Sequence, residues 1–357
     1  MTIVVLMVLV LMFAILERRW AEYALKSLAI HSSWDRTLAE PDQPITQSVT
    51  VENHSRLAIP FVRIVLGYPD EAKPAAEKDV QKRHYRKSIL SWNAEYRLPL
   101  RGRRSVTKQV PMTFQQRGVY RAGNYHLSAG DLLGFGEAKC HGDGKSIVVM
   151  PRLSQQKTVL DAVGGFLGDV SVKRFILEDP ILTTGFRDYT GREPMRAISW
   201  TRTAQAGSLQ VKQYDYTAER HVVVLLNVEG ADEQQFEECL RLTRSVCERL
   251  EQKKTPYGFR TNGNLPGPVG KITSMVEGSG QQHLKTILYG LGSADDTCFY
   301  SFRYLTKQTL RTRKTSEAYI VITPDDKGAA HTCIQELSNA VGAPVCVLRG
   351  CEGVDGQ

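Results

Sequence analysis

The run His221-Val-Val-Val-Leu-Leu-Asn227 decides the fold of the second half of the chain. Its five consecutive apolar residues show no alternation, which is typical of a strand buried on both faces, as the strands of a parallel sheet are. Parallel strands need long crossover connections, which are usually helices. The run therefore predicts an α/β domain.

The sequence after this run repeats the alternation of helix and strand. Apolar residues near helical spacing predict helices over 234–252, 281–291 and 329–341. Further strands are predicted at Pro256–Phe259, Ala318–Thr323 and Pro344–Leu348. This order predicts a doubly wound, Rossmann-type α/β domain over 216–357.

The first part of the chain has a different pattern. Residues 21–150 contain short, mostly alternating apolar runs separated by turn residues, without a convincing amphipathic helix. Several strands at such spacing predict an all-β sandwich of the immunoglobulin-like kind. Glycines interrupt the pattern within 151–215, so this stretch is predicted to be a connector between two domains.

The N-terminal run Thr2–Leu16 contains no charged residue, and the charged residues 17–19 and Trp20 follow at once. It lacks the leading positive charge and the small-residue cleavage site of a signal peptide. The run is shorter than the roughly 20 residues of a spanning helix, but an interfacial tryptophan and snorkelling arginines extend its usable length. We predict a transmembrane anchor over 1–20; the alternatives are a buried helix and an interfacial anchor.

Charge and cysteine usage predict the location. The positive-inside rule places Arg18, Arg19 and Lys26 on the cytoplasmic side. The seven cysteines match neither a disulfide framework nor a zinc site, which favours a reducing compartment. The sequence therefore predicts a single-pass protein of the cell membrane with cytoplasmic domains.

Basic residues outnumber acidic ones by 46 to 38, a net charge of +8 that suits anionic lipid, nucleic acid or an acidic protein partner. Between Lys82 and Lys108, nine basic residues are interrupted by a single acid, Glu95. This stretch predicts contact with membrane lipid, and the alternative is a solvated strand face. Nucleic acid is not predicted as a partner, because no binding motif accompanies the charge.

The most distinctive segment runs from Gly185 to Tyr214 and reads GFRDYTGREPMRAISWTRTAQAGSLQVKQY. It resembles a signature of the bacterial family called domain of unknown function 58, Arg-x-Tyr-x-x-Gly-Asp-x-x-Arg-x-Ile-x-Trp followed by Ala-Arg-x-Gly-x-Leu. The matching residues are Arg187, Tyr189, Arg196, Ile198, Trp200, Ala204, Gly207 and Leu209. The chain departs from it at Arg192 and Gln205, and shorter likenesses extend upstream over nearly its whole length.

In that family the signature precedes a von Willebrand factor A-like domain, and the resemblance implies one here. The first strand of such a domain normally ends in Asp-x-Ser-x-Ser, whose oxygens hold a divalent cation. This chain has Asn227-Val-Glu229-Gly-Ala231 instead. Asn227 and Glu229 are thus a candidate for a weak, degraded metal site, and no other cofactor is predicted.

Four signature residues are candidates for binding a partner: Arg187, Tyr189, Arg196 and Trp200. Arg, Tyr and Trp are enriched where interfaces concentrate their binding energy, so the segment is interpreted as a docking surface. The alternative is a structural strap tied by ion pairs. Members of the resembled family often accompany MoxR-type ATPases and transglutaminase-like membrane proteins, so the resemblance implies these partners.

No pattern for catalysis is found: the sequence contains no serine elbow, cysteine with paired histidine, metal-spaced histidines or phosphate loop. The chain is therefore predicted not to be an enzyme. The predicted function is a membrane-tethered interaction or scaffold protein, an adaptor for a MoxR-type ATPase in assembly or envelope function. The alternatives are a divalent-cation-dependent adhesion module and a cryptic enzyme.

Overall fold

The computed structural model describes residues 2–74, 80–85, 89–130, 137–156, 161, 163–166, 183–191, 193–214, 221–313, 317–325, 327–341 and 345–350. The chain divides into two compact units. Unit 1 comprises Met1–Arg152 and Leu288–Ala294, and unit 2 comprises Leu153–Ile287 and Asp295–Gln357. Much of the predicted connector, including 167–182, lies outside the described residues.

The first element is helix α1, Thr2–Lys26. Its C-terminal part belongs to unit 1, where Ala21 is buried and Ala24 joins the hydrophobic core. Its N-terminal part is apolar on all sides, and its described side chains, from Ile3 to Leu16, are exposed. One continuous helix thus begins in an exposed apolar segment and ends packed on a β-domain.

Among the described helices, none is both long enough and apolar enough to cross a membrane. The predicted transmembrane anchor over 1–20 is therefore wrong, and with it the predicted fold class that began with this element. The physical reason is length: the uncharged run Thr2–Leu16 has 15 residues, and the helix continues through charged residues into unit 1. The single-pass location that depended on this anchor loses its basis.

Unit 1 contains twelve described strands: β1 (Leu28–Trp34), β2 (Leu38–Ala39), β3 (Ile45–Asn53), β4 (Ile59–Pro69), β5 (Ala72–Pro74), β6 (Val80–Tyr85), β7 (Ile89–Leu100), β8 (Ser105–Phe114), β9 (Gly118–Ala122), β10 (Asn124–Gly130), β11 (Glu137–Gly142) and β12 (Lys145–Val149). They form sheets in the orders β1-β3-β8-β5, β11-β10-β4-β7-β6 and β2-β12-β9. The described pairs are antiparallel except β2 with β12.

The buried residues of these three sheets form one hydrophobic core, which gives unit 1 the character of a β-sandwich. Strand β3 shows why: its residues alternate between buried and half-buried positions, as the two-residue period of a strand requires. Two inward residues, Gln47 and Asn53, are polar, and Gln47 Oε1 accepts a hydrogen bond of 2.6 Å from the Tyr68 hydroxyl. The immunoglobulin-like topology stays a prediction.

The predicted basic stretch lies mainly on β6, β7 and β8, and its Arg86 and Lys87 lie outside the described residues. Its single acid, Glu95, accepts hydrogen bonds from Arg63 at 2.9 Å and from Arg97 at 2.7 Å. These bonds hold the pKa of Glu95 below its usual value, chiefly through Arg63. Contact of this stretch with membrane lipid stays a prediction.

The elements of the second half of the chain are β13 (Thr183–Asp188), a 3-10 helix (Met195–Ala197), α2 (Trp200–Ala206), β14 (Gln210–Tyr214), β15 (His221–Leu226), α3 (Glu233–Gln252), β16 (Tyr257–Thr261), β17 (Pro266–Gly267), β18 (Gly270–Lys271), β19 (Ser274–Gly278), α4 (Gln281–Ser293), α5 (Phe302–Arg311), β20 (Glu317–Thr323), α6 (Ala329–Val341) and β21 (Val345–Arg349). Five of the strands form one sheet, in the order β19-β16-β15-β20-β21. In it β15 is parallel to β16 and β20, β20 is parallel to β21, and β19 is antiparallel.

Strand β15 lies at the centre of this sheet, and all its residues except His221 are buried. The predicted burial of this run on both faces is confirmed. After β15 the chain passes through α3 to β16 on one side, and later reaches β20 on the other. The gap between β15 and β20 is therefore the topological switch point of the sheet, and ligands of open α/β sheets bind outside the carboxyl ends of the strands at such a point.

Candidate functional site

The carboxyl edge of the five-stranded sheet holds both residues of the predicted metal site. Asn227 directly follows β15 and is only 2% exposed, and its backbone N–H donates to the Ile322 carbonyl of β20 at 2.8 Å. Thr323 ends β20 and is buried beside it. A buried amide at this position needs hydrogen-bond partners, because leaving one unpaired costs about 1–3 kcal/mol.

Asn227 finds these partners on three neighbouring segments. Its Oδ1 accepts from the Glu229 backbone N–H at 3.0 Å and from Asn262 Nδ2 at 2.8 Å. Its Nδ2 donates to Thr323 Oγ1 at 3.0 Å. Asn262 Oδ1 in turn accepts from the Val228 N–H at 3.0 Å. We call Asn227, Asn262 and Thr323 the amide network.

Glu229 is the second residue of the predicted metal site. Its Oε2 accepts a hydrogen bond of 2.6 Å from the backbone N–H of Phe302, the first residue of α5. A carboxylate at a helix N-terminus is stabilised by the free N–H groups and the helix dipole. Glu229 therefore ties the start of α5 to the end of β15.

The bonds described above occupy Asn227 Oδ1 and one carboxylate oxygen of Glu229. Both lone pairs of Asn227 Oδ1 already accept N–H donors, so a cation could bind there only by breaking the amide network. Within the described part of the chain, no group of three or more His, Cys, Asp or Glu side chains could hold a metal ion. Metal binding by Asn227 and Glu229 stays a prediction, and the hydrogen bonds give both residues a structural role.

Residues 183–214, which contain the signature segment Gly185–Tyr214, form a β-hairpin with a helical insertion. Strands β13 and β14 pair antiparallel, and the 3-10 helix and α2 lie between them. Ile198 and Val211, which face each other in an antiparallel bridge, are both buried. The Ser199 N–H donates to the Gln210 carbonyl at 2.8 Å, so the insertion is held against β14.

Arg187 is held within this segment by an ion pair. Its Nη1 lies 2.6 Å from Glu193 Oε1. The same carboxylate accepts from the Thr190 hydroxyl at 2.7 Å and from the Thr190 N–H at 3.0 Å. The Thr190 hydroxyl and then the other donors, Arg187 among them, lower the pKa of Glu193 from 4.5 to about 2. The Glu193 carboxylate therefore joins Arg187 and Thr190 and stabilises the loop after β13.

The other predicted docking residues are arranged differently. Tyr189 is half-buried, and its N–H donates to the Leu209 carbonyl at 2.8 Å. Arg196 is exposed, and Trp200, at the start of α2, is 61% exposed. No hydrogen bond, ion pair or ring contact joins any two of the four docking residues in the described structure. Arg187 and Tyr189 thus hold the hairpin, while Arg196 and Trp200 face outward.

Sequence reasoning missed several residues that contribute to these sites. Met195 is 68% exposed beside Arg196, and the exposed ring of Phe186 lies 5.0 Å from the Arg202 guanidinium. Asn262 and Thr323 were missed at the carboxyl edge, although each follows or ends a strand and is polar. Their polarity at the ends of apolar strands was the available signal.

No protein-family model and no curated protein matches the chain. A solved structure described as AvmM, which catalyzes macrocyclization in alchivemycin A biosynthesis, has a TM-score of 0.23 and 12% identity, and the match covers 36% of this chain and 92% of that one. The CARDB domain of the PF1109 protein from Pyrococcus furiosus has a TM-score of 0.21 and 13% identity, covering 34% and 91%. A cohesin module from Clostridium perfringens has a TM-score of 0.21 and 9% identity, covering 34% and 96%.

At TM-scores this low, these likenesses carry no argument about fold or function. The resemblance to domain of unknown function 58 and to von Willebrand factor A-like domains stays a prediction from the signature residues.

The amide network predicts a large loss of stability on truncation. Asn227→Ala removes the acceptor of Asn262 Nδ2 and the donor to Thr323 Oγ1 in a buried site, so we expect the free energy of unfolding to fall by about 3 kcal/mol. Urea unfolding measures this loss. Gln308→Ala, which removes an exposed amide on α5, is the control and should change stability by less than about 0.5 kcal/mol. Equal effects of the two variants would contradict the structural role of Asn227.

The loop after β13 should depend on pH through Glu193. Because the folded pKa is lowered, the ionised carboxylate stabilises the loop above its usual pKa of 4.5, and this contribution is lost as the pH falls towards 2. Glu193→Gln should remove this dependence and speed amide hydrogen exchange at Thr190 at neutral pH. Glu233→Gln, which neutralises an exposed carboxylate of α3, is the control. Unchanged exchange in Glu193→Gln would refute the assignment.

Proposed function

We propose that this chain is a non-enzymatic interaction protein, an adaptor that binds a partner protein through its signature segment. The resemblance to domain of unknown function 58 names the candidate partners, a MoxR-type ATPase and a transglutaminase-like membrane protein. An adaptor needs a surface that is stable when free and gains binding energy from a few residues when occupied. The signature segment offers such a surface.

The observation that carries this proposal is the exposure of large apolar side chains within the 30 residues of the signature segment. Met195 and Trp200 are 68% and 61% exposed, and Phe186 and Leu209 are exposed with them. None of the residues of α2 is buried. Exposed apolar groups gathered in one segment indicate a contact site, whereas single ones scattered on a surface are ordinary.

Charge suggests what such a partner presents. The signature segment has five basic and two acidic residues, a net charge of +3. Glu193 is already paired with Arg187, whereas Arg196 is exposed near Met195 and Trp200. An apolar pocket with an acidic rim would complement these residues, since Trp and Arg anchors commonly fill such pockets.

The structural strap, which was the alternative interpretation, is compatible with this proposal. The residues that hold the hairpin are Ile198, Val211, Arg187 and Glu193. Trp200 and Met195 contribute to none of these contacts. The two interpretations therefore apply to different residues of the same segment.

Photo-crosslinking tests the proposal in bacterial cells that contain the implied ATPase and membrane protein. A benzophenone amino acid at position 200 should capture the MoxR-type ATPase, and the same group in place of Tyr304, which is 56% exposed, is the matched control. Arg196→Ala should weaken capture through position 200, at a cost of about 1–2 kcal/mol. Capture of the ATPase equally from both positions, or from neither, would refute this docking surface.

The second candidate function, a divalent-cation-dependent adhesion module, makes a different prediction. Because Asn227 Oδ1 is occupied by two N–H donors, calorimetry with magnesium and with calcium should show no saturable binding at this site. A binding heat that is present in the natural chain and absent in Glu229→Gln would favour the adhesion module over the adaptor. Asp70→Asn, an exposed carboxylate of unit 1, is the control for nonspecific binding of cations.

A further inference from the structure

A cavity of about 680 Å³ opens beside the amide network in unit 2. It is lined by residues that follow β15 and β20 and by the first turns of α5 and α6, among them Glu229, Asp325, Phe302 and Ala330. It thus lies at the topological switch point, where open α/β sheets bind ligands. Its volume falls within the range of small-molecule sites.

The carboxylates of this cavity differ from its cations in their partners. Glu229 accepts from the Phe302 N–H, and Asp325 Oδ1 accepts from the Lys327 N–H at 3.1 Å. By contrast, the exposed side chains of Arg303 and Lys327, which also line the cavity, make no ion pair with any carboxylate that the structure describes. The cavity therefore has cationic donors to offer a ligand.

The rest of the lining limits the kind of ligand. Phe302, Pro324, Ala330 and Cys333 present apolar surface, which suits a ligand with an apolar body. The first turn of α6 adds the partial positive charge of a helix N-terminus. Glu229, Asp325 and Glu336 line the same cavity, so three carboxylates face two cations, and a ligand with two negative charges is repelled more strongly than a ligand with one.

We propose that this cavity binds a monoanionic carboxylate attached to a small apolar body, with Arg303 and Lys327 as the residues that hold the carboxylate. Arginine pairs with a carboxylate through two parallel hydrogen bonds, and lysine adds a point charge. A phosphate has the same acceptor chemistry, but its second charge would meet three carboxylates. This site is separate from the signature segment and does not depend on the adaptor function.

Fluorine NMR of three probes with one apolar body tests the site on the full chain. The probes are para-fluorophenylacetate, its neutral amide and para-fluorophenyl phosphate. Para-fluorophenylacetate should bind saturably and more tightly than either of the others. Arg303→Gln and Lys327→Gln should each weaken its binding by about tenfold, the loss expected for one charge-assisted hydrogen bond.

Two further variants separate this site from nonspecific binding. Lys307→Gln removes an exposed cation of α5 that does not line the cavity, and it should leave the affinity unchanged. Ala330→Leu should reduce binding by filling the cavity while Arg303 and Lys327 remain. Equal binding of the amide, tighter binding of the phosphate, no saturable binding, or an equal effect of Lys307→Gln would each overturn the proposal.

Discussion

Burial of β15 on both faces is the constraint on which unit 2 depends. Val222 to Leu226 are all buried, so only apolar side chains can occupy this strand without a cost of desolvation. The first polar side chain after them, that of Asn227, is still buried and must find partners. Asn262 and Thr323 supply them from beyond β16 and from the end of β20. The carboxyl ends of the three central strands are therefore joined by one set of hydrogen bonds.

The carboxyl edge of the sheet has two parts, the hydrogen-bonded amide network and the cavity beside it. Glu229 belongs to both, since its N–H donates into the network and its carboxylate accepts from the start of α5. With the first turn of α5 held in this way, the side chain of the next residue, Arg303, lies along the cavity. The hydrogen bonds of the amide network and of Glu229 thus position the Arg303 guanidinium at the cavity. Binding sites are preorganised when the supporting contacts fix a functional side chain in this way.

In the second half of the chain, periodicity predicted α3, α4 and α6 and the parallel strands β15, β16, β20 and β21, whereas α5 and β19 were not predicted. The helix predicted over 329–341 is observed as Ala329–Val341, and the one predicted over 234–252 as Glu233–Gln252. The amide network was beyond such reasoning, because the two side-chain partners of Asn227 lie 35 and 96 residues away along the chain. The apolar composition of residues 2–16 also led to the wrong prediction of a transmembrane anchor. The burial of Ala21 and Ala24 depends on packing in unit 1, which the local sequence pattern does not indicate.

The signature segment shows how one stretch can combine two physical roles. Its fold is accounted for by few contacts: the bridge of Ile198 with Val211, the ladder of β13 with β14, and the carboxylate of Glu193. An exposed tryptophan adds nothing to these contacts, and about 25 cal/mol per Å² of its apolar surface remains to be gained on burial. Because Trp200 is 61% exposed, that free energy is available to a partner that buries its ring. The hairpin contacts therefore determine where Trp200 is held, and its exposure makes it the residue through which binding energy would be gained.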